Sequence, residues 1–326
     1  MLATWLAPGF PLGERASAAA QASSTEGAPF LLLPVGAKAI GLGRAVSAFA
    51  GAQSVWWNPA GLAEVEGGRF LVYRSDHPVA GPNGATAASL VLTHTALGAL
   101  GVSYQFFDNG SQDVTDEQSN LIGTLKGRGH LAVITLATRF GNRLNAGMNL
   151  KLVQDRFTCR GQCPDGSGLS ATTFAVDAGV QLAPLSGIPL RLAAMVAHLG
   201  SDLQYLNEGQ ADPLPTRFRL AAAYDVMGHF VETDELGLSL AVELDNHWRD
   251  PGSPATYVGA EFRAGAEDVL YVRAGYVFDA ELQVDGAAVG VGLHYERLEL
   301  ELAKSLATSV LQTETEPVHI SFGFVF

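Results

Sequence analysis

Hydrophobic and polar residues alternate along most of the chain after residue 69. From Val318 to Phe326 every second residue is Val, Ile or Phe, and the residues between them are His, Ser, Gly and Val. From Leu236 to Leu244 leucine and valine alternate in the same way with Gly, Ser, Ala and Glu. A period of two places all the large apolar side chains on one face of an extended strand, whereas a helix would spread them over all its sides. These segments are therefore predicted to be β-strands.

Fourteen segments show this pattern, and the connections between them alternate in length. The predicted strands are 69–76, 84–95, 98–107, 127–139, 144–155, 169–183, 189–199, 215–226, 235–245, 255–264, 268–278, 284–295, 297–305 and 317–326. Short connections such as 96–97 and 140–143 alternate with long ones such as 108–126 and 156–168. An even number of strands with tight turns at one end and longer loops at the other is typical of transmembrane β-barrels. Both chain ends then lie on the short-turn, periplasmic side.

Composition narrows the fold class further. The chain has 326 residues, of which 48% are hydrophobic and only 16% are charged, but it contains no run of about 18–20 apolar residues that could form a spanning helix. A closed β-barrel is the other structure that satisfies every backbone group in lipid. A soluble sandwich of this length would need two domains and a linker, and a propeller would need a long repeat. We therefore predict an all-β protein, a fourteen-stranded antiparallel barrel over residues 69–326, in the lipid of the bacterial outer membrane.

Charge and chemically active residues exclude several functions. The 20 Lys+Arg against 33 Asp+Glu give a net charge of −13, so the chain has no excess of basic residues to neutralise phosphates and we expect no nucleic-acid partner. The eight histidines show no metal-ligand spacing, and no Ser/His/carboxylate set stands out. We expect no metal, no cofactor and no enzymatic activity.

Charged residues also occur on the polar faces of the predicted strands, where they would point into the barrel. They are Arg217, Arg219, Glu243, Glu261, Arg263, Arg273, Glu299 and Glu301. Glu261 and Arg273 lie on consecutive strands nearly opposite each other, so they could form a cross-strand ion pair. These charges either form a structural network that anchors an interior segment or line a transport path.

Two further segments bear on processing and folding. Residues 1–24 combine a mildly apolar stretch with small residues, as an export signal does, although the first residues lack Lys and Arg. A disordered Ala/Ser-rich tail is the alternative for this segment. Cys159 and Cys163 lie in one predicted loop, and in an oxidising compartment we expect them to form a small disulfide rather than a metal site.

Motifs ahead of the strands resemble a known group of proteins. The segments are Gly36–Ala45 (GAKAIGLGRA), Trp56–Ala63 (WWNPAGLA), 215–225 and Leu270–Phe278, with Phe326 as the last residue. Together they resemble the PorV/PorQ branch of the FadL-like outer-membrane barrels over about residues 28–326. The motif residues are Trp56, Trp57, Asn58, Pro59 and Gly61. Asn58-Pro59 followed by Gly61 also predicts a turn, because proline fixes φ and glycine permits a left-handed conformation.

The resemblance implies a hatch over residues 25–68 that plugs the barrel lumen. The alternatives are a segment packed outside the barrel, or an interfacial aromatic belt formed by Trp56 and Trp57. It also implies passive transport of hydrophobic small molecules or lipids. The alternative function is a non-transporting partner of the type IX secretion system that binds secreted cargo. Phe326 would serve membrane insertion by the outer-membrane barrel assembly machinery.

Overall fold

Strands dominate the computed structural model of the protein. It describes residues 26–77, 83–94, 98–162, 168–182, 184, 188–205, 211–230, 235–249, 251–252, 254–279, 284–309 and 318–326. The predicted export signal 1–24 lies outside these residues. The strands are β1 (Arg69–His77), β2 (Asn83–His94), β3 (Gly98–Thr115), β4 (Leu121–Phe140), β5 (Leu144–Gly161), β6 (Gly168–Leu182), β7 (Leu190–Gly200), β8 (Arg217–Asp225), β9 (Leu236–His247), β10 (Ala255–Ala264), β11 (Val269–Asp279), β12 (Val284–Tyr295), β13 (Leu298–Ser305), β14 (Thr308–Ser309) and β15 (Val318–Val325). No helix among the described residues is long and apolar enough to cross a membrane.

The strands form one closed antiparallel barrel. Each long strand pairs with its neighbours in sequence, and β1 pairs with β15 to close the ring. The two residues of β14 pair with the same strand, β12, as β13 does, so β13 and β14 occupy one position in the wall. The barrel therefore has fourteen positions, which confirms the predicted fold class.

Both ends of the barrel wall meet at one rim. The backbone N–H of Gly68 donates to the carbonyl of Phe326 at 2.9 Å, and the N–H of Phe326 donates back to Gly68 at 3.0 Å. The short turn at 141–143 lies at the same rim, which we call the periplasmic rim because short turns face the periplasm in such barrels. The opposite rim is called the distal rim.

The outer surface of the barrel carries a belt of large apolar side chains. Phe174 is 63% exposed and Ile134 is 50% exposed, while the residues that alternate with them are buried and face the lumen. A soluble protein does not leave so large an apolar surface in water. The belt is the lipid-facing surface that a membrane-spanning barrel requires.

Strands β3 to β5 extend further toward the distal rim than the sequence pattern indicates. The predicted loop 108–126 is mostly strand, because β3 runs to Thr115 and β4 begins at Leu121. A bulge between Asp108 and Ser111 shifts the register in this region. Polar residues occupy both faces of this extension, so backbone pairing continues where the alternation of hydrophobicity has ended.

Residues 26–68, the hatch, fill the lumen, as predicted. Its helical turns are Pro29–Leu32, Ala37–Gly41, Ser54–Trp57 and Pro59–Glu64. Glycines in the barrel wall allow its backbone to approach closely. A Cβ on Gly275 would lie 2.2 Å from the backbone N of Gly43 in the hatch, and one on Gly147 would lie 2.4 Å from the carbonyl carbon of Pro59. The small size of wall residues therefore decides where the hatch backbone rests.

Candidate functional site

The Trp-Trp-Asn-Pro-Ala-Gly segment lies at the centre of the lumen, and Asn58 holds it there. The Asn58 side chain is fully buried and accepts the N–H of Ala60 at 3.1 Å, which caps the helical turn that begins at Pro59. Its Nδ2 donates to the carbonyl of Ser47 at 3.2 Å and to that of Val180 in β6 at 3.3 Å. One amide side chain thus joins two parts of the hatch to the wall.

Gly61 has a different role from the one that the turn signal predicts. Its φ is not positive, because it lies inside the 3₁₀ helix Pro59–Glu64 and not at a left-handed turn position. A Cβ at this position would lie 2.3 Å from Oγ of Ser54 and 2.9 Å from the carbonyl oxygen of Phe49. Glycine is required there by close packing between two turns of the hatch, so the left-handed prediction is wrong.

Glu243 on β9 is the main anchor of the hatch on the wall. Its side chain is fully buried. One carboxylate oxygen accepts the N–H groups of Val46 at 3.0 Å and Ser47 at 2.9 Å, and the other accepts the Ser47 hydroxyl at 2.7 Å. These three donors satisfy the buried side chain, which would otherwise be costly to place in the interior.

Besides the contacts of Glu243, a second group of wall side chains binds the hatch near the distal rim, and it contains Arg217 and Arg219 of β8. Arg219 donates to Asp245 at 2.7 Å, and its guanidinium lies 5.2 Å from the ring centroid of Trp57. Arg217 binds the carboxylate of Glu26, at the start of the hatch, through two hydrogen bonds of 2.9 Å. Such paired hydrogen bonds fix direction as well as distance. The hatch is thereby tied to the wall at its distal end.

Glu261, Arg273 and Glu301 form a third group in the periplasmic half of the lumen. Glu261 and Arg273 are directly opposite in register and hydrogen-bond at 2.6 Å, as the sequence predicts. Arg273 also contacts Glu301 at 3.2 Å, and Lys38 of the hatch lies 3.9 Å from Glu261. The three strands and the hatch therefore share one buried charge network.

Two of the predicted lumen charges do not join these networks. Arg263 packs its side chain over Gly237 and has no ion pair within the described residues. Glu299 pairs with Arg69 at 3.6 Å, close to the periplasmic rim. Both residues lie at the mouth of the barrel rather than on the hatch.

A fourth group of buried polar and charged side chains was not predicted from the sequence. Lys151 on β5 and Asp177 on β6 pair at 2.6 Å, and Asn149 donates to the same carboxylate at 2.7 Å. A bulge in β7 turns His198 inward with a φ of 58°, so that its Nδ1 lies 3.1 Å from Lys151 Nζ. Asn149 also donates to the carbonyl of Val55 in the hatch at 3.0 Å. The signal was present, since Lys151 lies on the polar face of its strand.

Glu64 fastens the periplasmic end of the hatch. Arg191 lies 2.8 Å and Arg139 lies 3.6 Å from its carboxylate, and Asn145 donates to it at 2.8 Å. Burial alone would raise the pKa of the Glu64 carboxyl, but the hydrogen bonds and positive charges of these wall residues outweigh it and hold the pKa below its ordinary value.

Trp57 separates two cavities in the lumen. On the periplasmic side lies a cavity of about 360 Å³, and on the distal side one of about 30 Å³. Trp57 lines both, is buried, and donates its indole N–H to the carbonyl of Val35 at 2.8 Å. Its neighbour Trp56 packs against four separate apolar clusters of the interior. The two tryptophans thus lie inside the barrel and do not form an interfacial belt.

The larger cavity has both apolar and charged walls. Its apolar and aromatic lining includes Phe49, Trp57, Val65, Leu71 and Tyr271. Its charged lining includes Lys38, Arg69, Arg273, Glu299 and Glu301. A volume of about 300–1,000 Å³ is typical of small-molecule sites, so this cavity is large enough to hold one small ligand.

The connection between β7 and β8 packs on the start of the hatch. Leu203 and Leu214 are buried against Ala28, Phe30 and Leu31. The N–H of Gly27 donates to the carbonyl of Pro213 at 2.9 Å. The start of the hatch and this connection therefore form one apolar contact on the distal side of the lumen.

The structure describes only one of the two cysteines that are predicted to form a disulfide. Cys159 lies near the distal end of β5 and is not a free thiol, but Cys163 lies outside the described residues, so their disulfide stays a prediction. Among the residues that the structure describes, no three His, Cys, Asp or Glu side chains are grouped so as to hold a metal ion.

Comparison with known proteins shows similarity of fold. No protein-family model matches the chain, and no curated protein matches it in sequence. The toluene transporter TbuX of Ralstonia pickettii aligns over 89% of this chain and 98% of its own, with 13% identity and a TM-score of 0.61. The toluene transporter TodX of Pseudomonas putida aligns over 89% and 98%, with 12% identity and a TM-score of 0.62. A FadL homologue of Pseudomonas aeruginosa aligns over 90% and 99%, with 9% identity and a TM-score of 0.55. The chain therefore has the barrel fold of these outer-membrane proteins over nearly its whole length.

Proposed function

We propose that the protein is a FadL-like outer-membrane channel for the passive transport of small hydrophobic molecules. The observation that carries this proposal is the lumen itself. A cavity of ligand size lies on one side of a hatch that is held mainly by side-chain hydrogen bonds and ion pairs. Because no strand of the wall is part of the hatch, it can shift without breaking the barrel.

The proposal is supported by the proteins that share the fold. TbuX and TodX are toluene transporters, and their whole length corresponds to almost all of this chain. An aromatic hydrocarbon is small enough for the cavity of about 360 Å³ and would contact Phe49, Trp57 and Tyr271. We therefore assign monoaromatic hydrocarbons as the first substrates to test.

A hatch that is locked to the wall provides the test. The N–H of Ala37 in the hatch lies 2.9 Å from Oγ of Ser321 on β15, so Ala37→Cys with Ser321→Cys, in a chain with both native cysteines changed to Ser, should allow a cross-link. Uptake of radiolabelled toluene is measured in a host strain that lacks its own hydrocarbon channel. We expect oxidation to abolish uptake and a reducing agent to restore it.

Each single-cysteine variant is the matched control, since it should be insensitive to oxidation. Uptake that is unchanged when the cross-link is complete would contradict transport through the hatch region. No uptake by the unmodified chain, although it is folded and surface-located, would contradict the transport function itself.

We further propose that the chain is of the PorV/PorQ type, on the resemblance of residues 36–63. The alternative of a partner for the type IX secretion system rests on the same resemblance. This alternative predicts that secretion components co-purify with the protein from its native membrane. Their absence, together with bound hydrocarbon or lipid, favours the channel.

A further inference from the structure

The outward face of β4 and β5 changes from apolar to basic near the distal rim. On β5 the outward residues from Leu144 to Leu152 are all apolar, and after Gln154 they include Arg156 and Arg160. On β4 the corresponding outward residues are Arg128 and Lys126. We call Lys126, Arg128, Arg156 and Arg160 the basic patch. It lies outside the lumen and has no part in the transport proposal.

The patch lies at the height of lipid headgroups. Eight residue steps from Leu144 to Leu152, at about 3.4 Å each and a tilt near 40°, cover roughly 21 Å of membrane thickness, close to the ~25 Å apolar band of such barrels. The next layer is aromatic. Tyr104 hydrogen-bonds His130 at 2.6 Å, and the ring of Phe106 lies 5.2 Å from that of His130. Aromatic side chains of this kind mark the membrane–water interface.

The patch is not explained by the stability of the barrel. Arg128 and Arg156 are direct partners in the register of β4 and β5, and like charges directly opposite each other are destabilising. Asp108 contacts Arg128 at 3.5 Å. Within the part of the chain that the structure describes, no carboxylate lies within ion-pair distance of Lys126, Arg156 or Arg160. Four of the 20 basic residues of a chain with net charge −13 are therefore concentrated here, and only Arg128 has an acidic partner among the described residues.

Clefts beside the patch offer room for a ligand. One of about 80 Å³ is lined by Thr124, Lys126, Arg128, Thr158 and Arg160. Another of about 330 Å³ lies along Arg156, Thr158 and Ser170. Thr158 lines both clefts, so hydroxyl and guanidinium donors alternate along the surface. Such donors suit phosphate oxygens, which accept paired hydrogen bonds from arginine.

We propose that the basic patch binds the phosphate groups of an anionic glycolipid in the outer leaflet, with its acyl chains against the apolar belt below. The belt residues Ile134 and Leu152 lie on the same two strands, directly toward the membrane centre. A lipid is chosen over a soluble anion because the apolar and basic surfaces are continuous. One molecule can then contact both surfaces.

The test compares two variants that lose the same number of positive charges. The first is Lys126→Gln with Arg156→Gln and Arg160→Gln. The control is Arg249→Gln with Arg297→Gln and Lys304→Gln, three exposed basic residues elsewhere on the barrel. Thermal unfolding is followed in zwitterionic detergent micelles, with and without bisphosphorylated lipid A. We expect lipid A to raise the Tm of the native chain and of the control, and the first variant to lose most of that rise.

A single substitution gives an independent readout. Arg156→Gln removes the repulsion from Arg128, so without lipid A its Tm should equal or exceed that of the native chain, and with lipid A it should rise less. Equal rises for the native chain and both patch variants would overturn the proposal. Inorganic phosphate at the same phosphate concentration should give no rise. If phosphate alone reproduces the effect, the patch is a soluble-anion site and the lipid assignment is wrong.

Discussion

The carboxylate of Glu243 in the barrel wall accepts a hydrogen bond from the hydroxyl of Ser47 in the hatch at 2.7 Å. The two residues are 196 positions apart in the sequence. The same carboxylate also accepts the N–H groups of Val46 and Ser47. The hatch is therefore attached at this point by one side chain that satisfies three donors, and not by strand pairing.

Removal of this acceptor should loosen the hatch. Glu243→Ala leaves the two backbone N–H groups buried without a partner, at a cost of about 1–3 kcal/mol each. We expect a lower free energy of unfolding in urea and faster protease cleavage within residues 26–68. Glu66→Ala, at the exposed end of the hatch, is the control and should change neither. Equal cleavage of both variants would refute the anchor role.

A side chain at position 275 should push the hatch off the wall. The Cβ of Gly275→Ala would lie 2.2 Å from the backbone N of Gly43, and the backbone there cannot give way as a flexible side chain would. Overpacking of this kind costs about 1–3 kcal/mol. We expect a matching loss in the free energy of unfolding. The matched control is Gly252→Ala, where an added Cβ meets nothing within 4 Å. A Gly275→Ala barrel as stable as the control would show that the contact is not required.

Trp57 should act as the barrier between the two cavities. Trp57→Ala removes the ring that lines both of them and should connect them, so single-channel conductance in planar bilayers should rise. Loss of a buried tryptophan also costs about 3–5 kcal/mol, which lowers the unfolding midpoint. Trp248→Ala, at an exposed position, should have neither effect. If Trp57→Ala leaves the conductance unchanged, the barrier between the cavities is formed by another part of the hatch.

The ion pairs of Glu64 should make stability depend on pH. The folded protein holds the pKa of Glu64 below its ordinary value, so the carboxylate contributes stability above the unfolded pKa of about 4.3. That contribution is lost as pH falls through the lower folded pKa. We expect Glu64→Gln to be less stable than the native chain at neutral pH and to match it more closely in acid.

Urea unfolding of both proteins between neutral and acidic pH measures this difference. A gap between the two proteins that is the same at every pH would mean that Glu64 contributes no pH-dependent stability. A gap that widens in acid would reverse the sign of the proposed shift.

Deletion of residues 28–68 should open the lumen. The wall strands do not depend on the hatch for their pairing, so the barrel should still form and should conduct more than the native chain. Folding is checked by migration in mild detergent gels, in which a barrel moves differently before and after boiling. A folded deletion variant with native conductance would show that the hatch is not the plug.

Much of the wall was predictable because its determinants are local. Apolar and polar residues alternate because successive side chains of a strand face the lipid and the lumen in turn. Glu261 and Arg273 meet because one short turn joins their strands. The distal extensions of β3 and β4 could not be predicted in this way. Where both faces of a strand carry polar residues, the alternation of apolar and polar residues disappears, although the backbone hydrogen bonds between the strands continue.

The hatch contacts depended on the tertiary structure. Glu243 lies on a polar strand face that the sequence identifies, but its partners Val46 and Ser47 are fixed only when the hatch packs inside the barrel. Position 61 also depends on the tertiary structure. Glycine is required there because a Cβ would collide with Ser54 and Phe49, and not because its φ is positive.

The sequence by itself thus determined the strands, their number, their inward and outward faces and the rim at which the barrel wall begins and ends. Each of these follows from the period of two and from the preference of apolar side chains for lipid. Only the tertiary structure decided which hatch groups the inward charges bind and where Trp57 divides the lumen. Those relationships join residues far apart in sequence, and a local pattern carries no information about distances that ring closure sets.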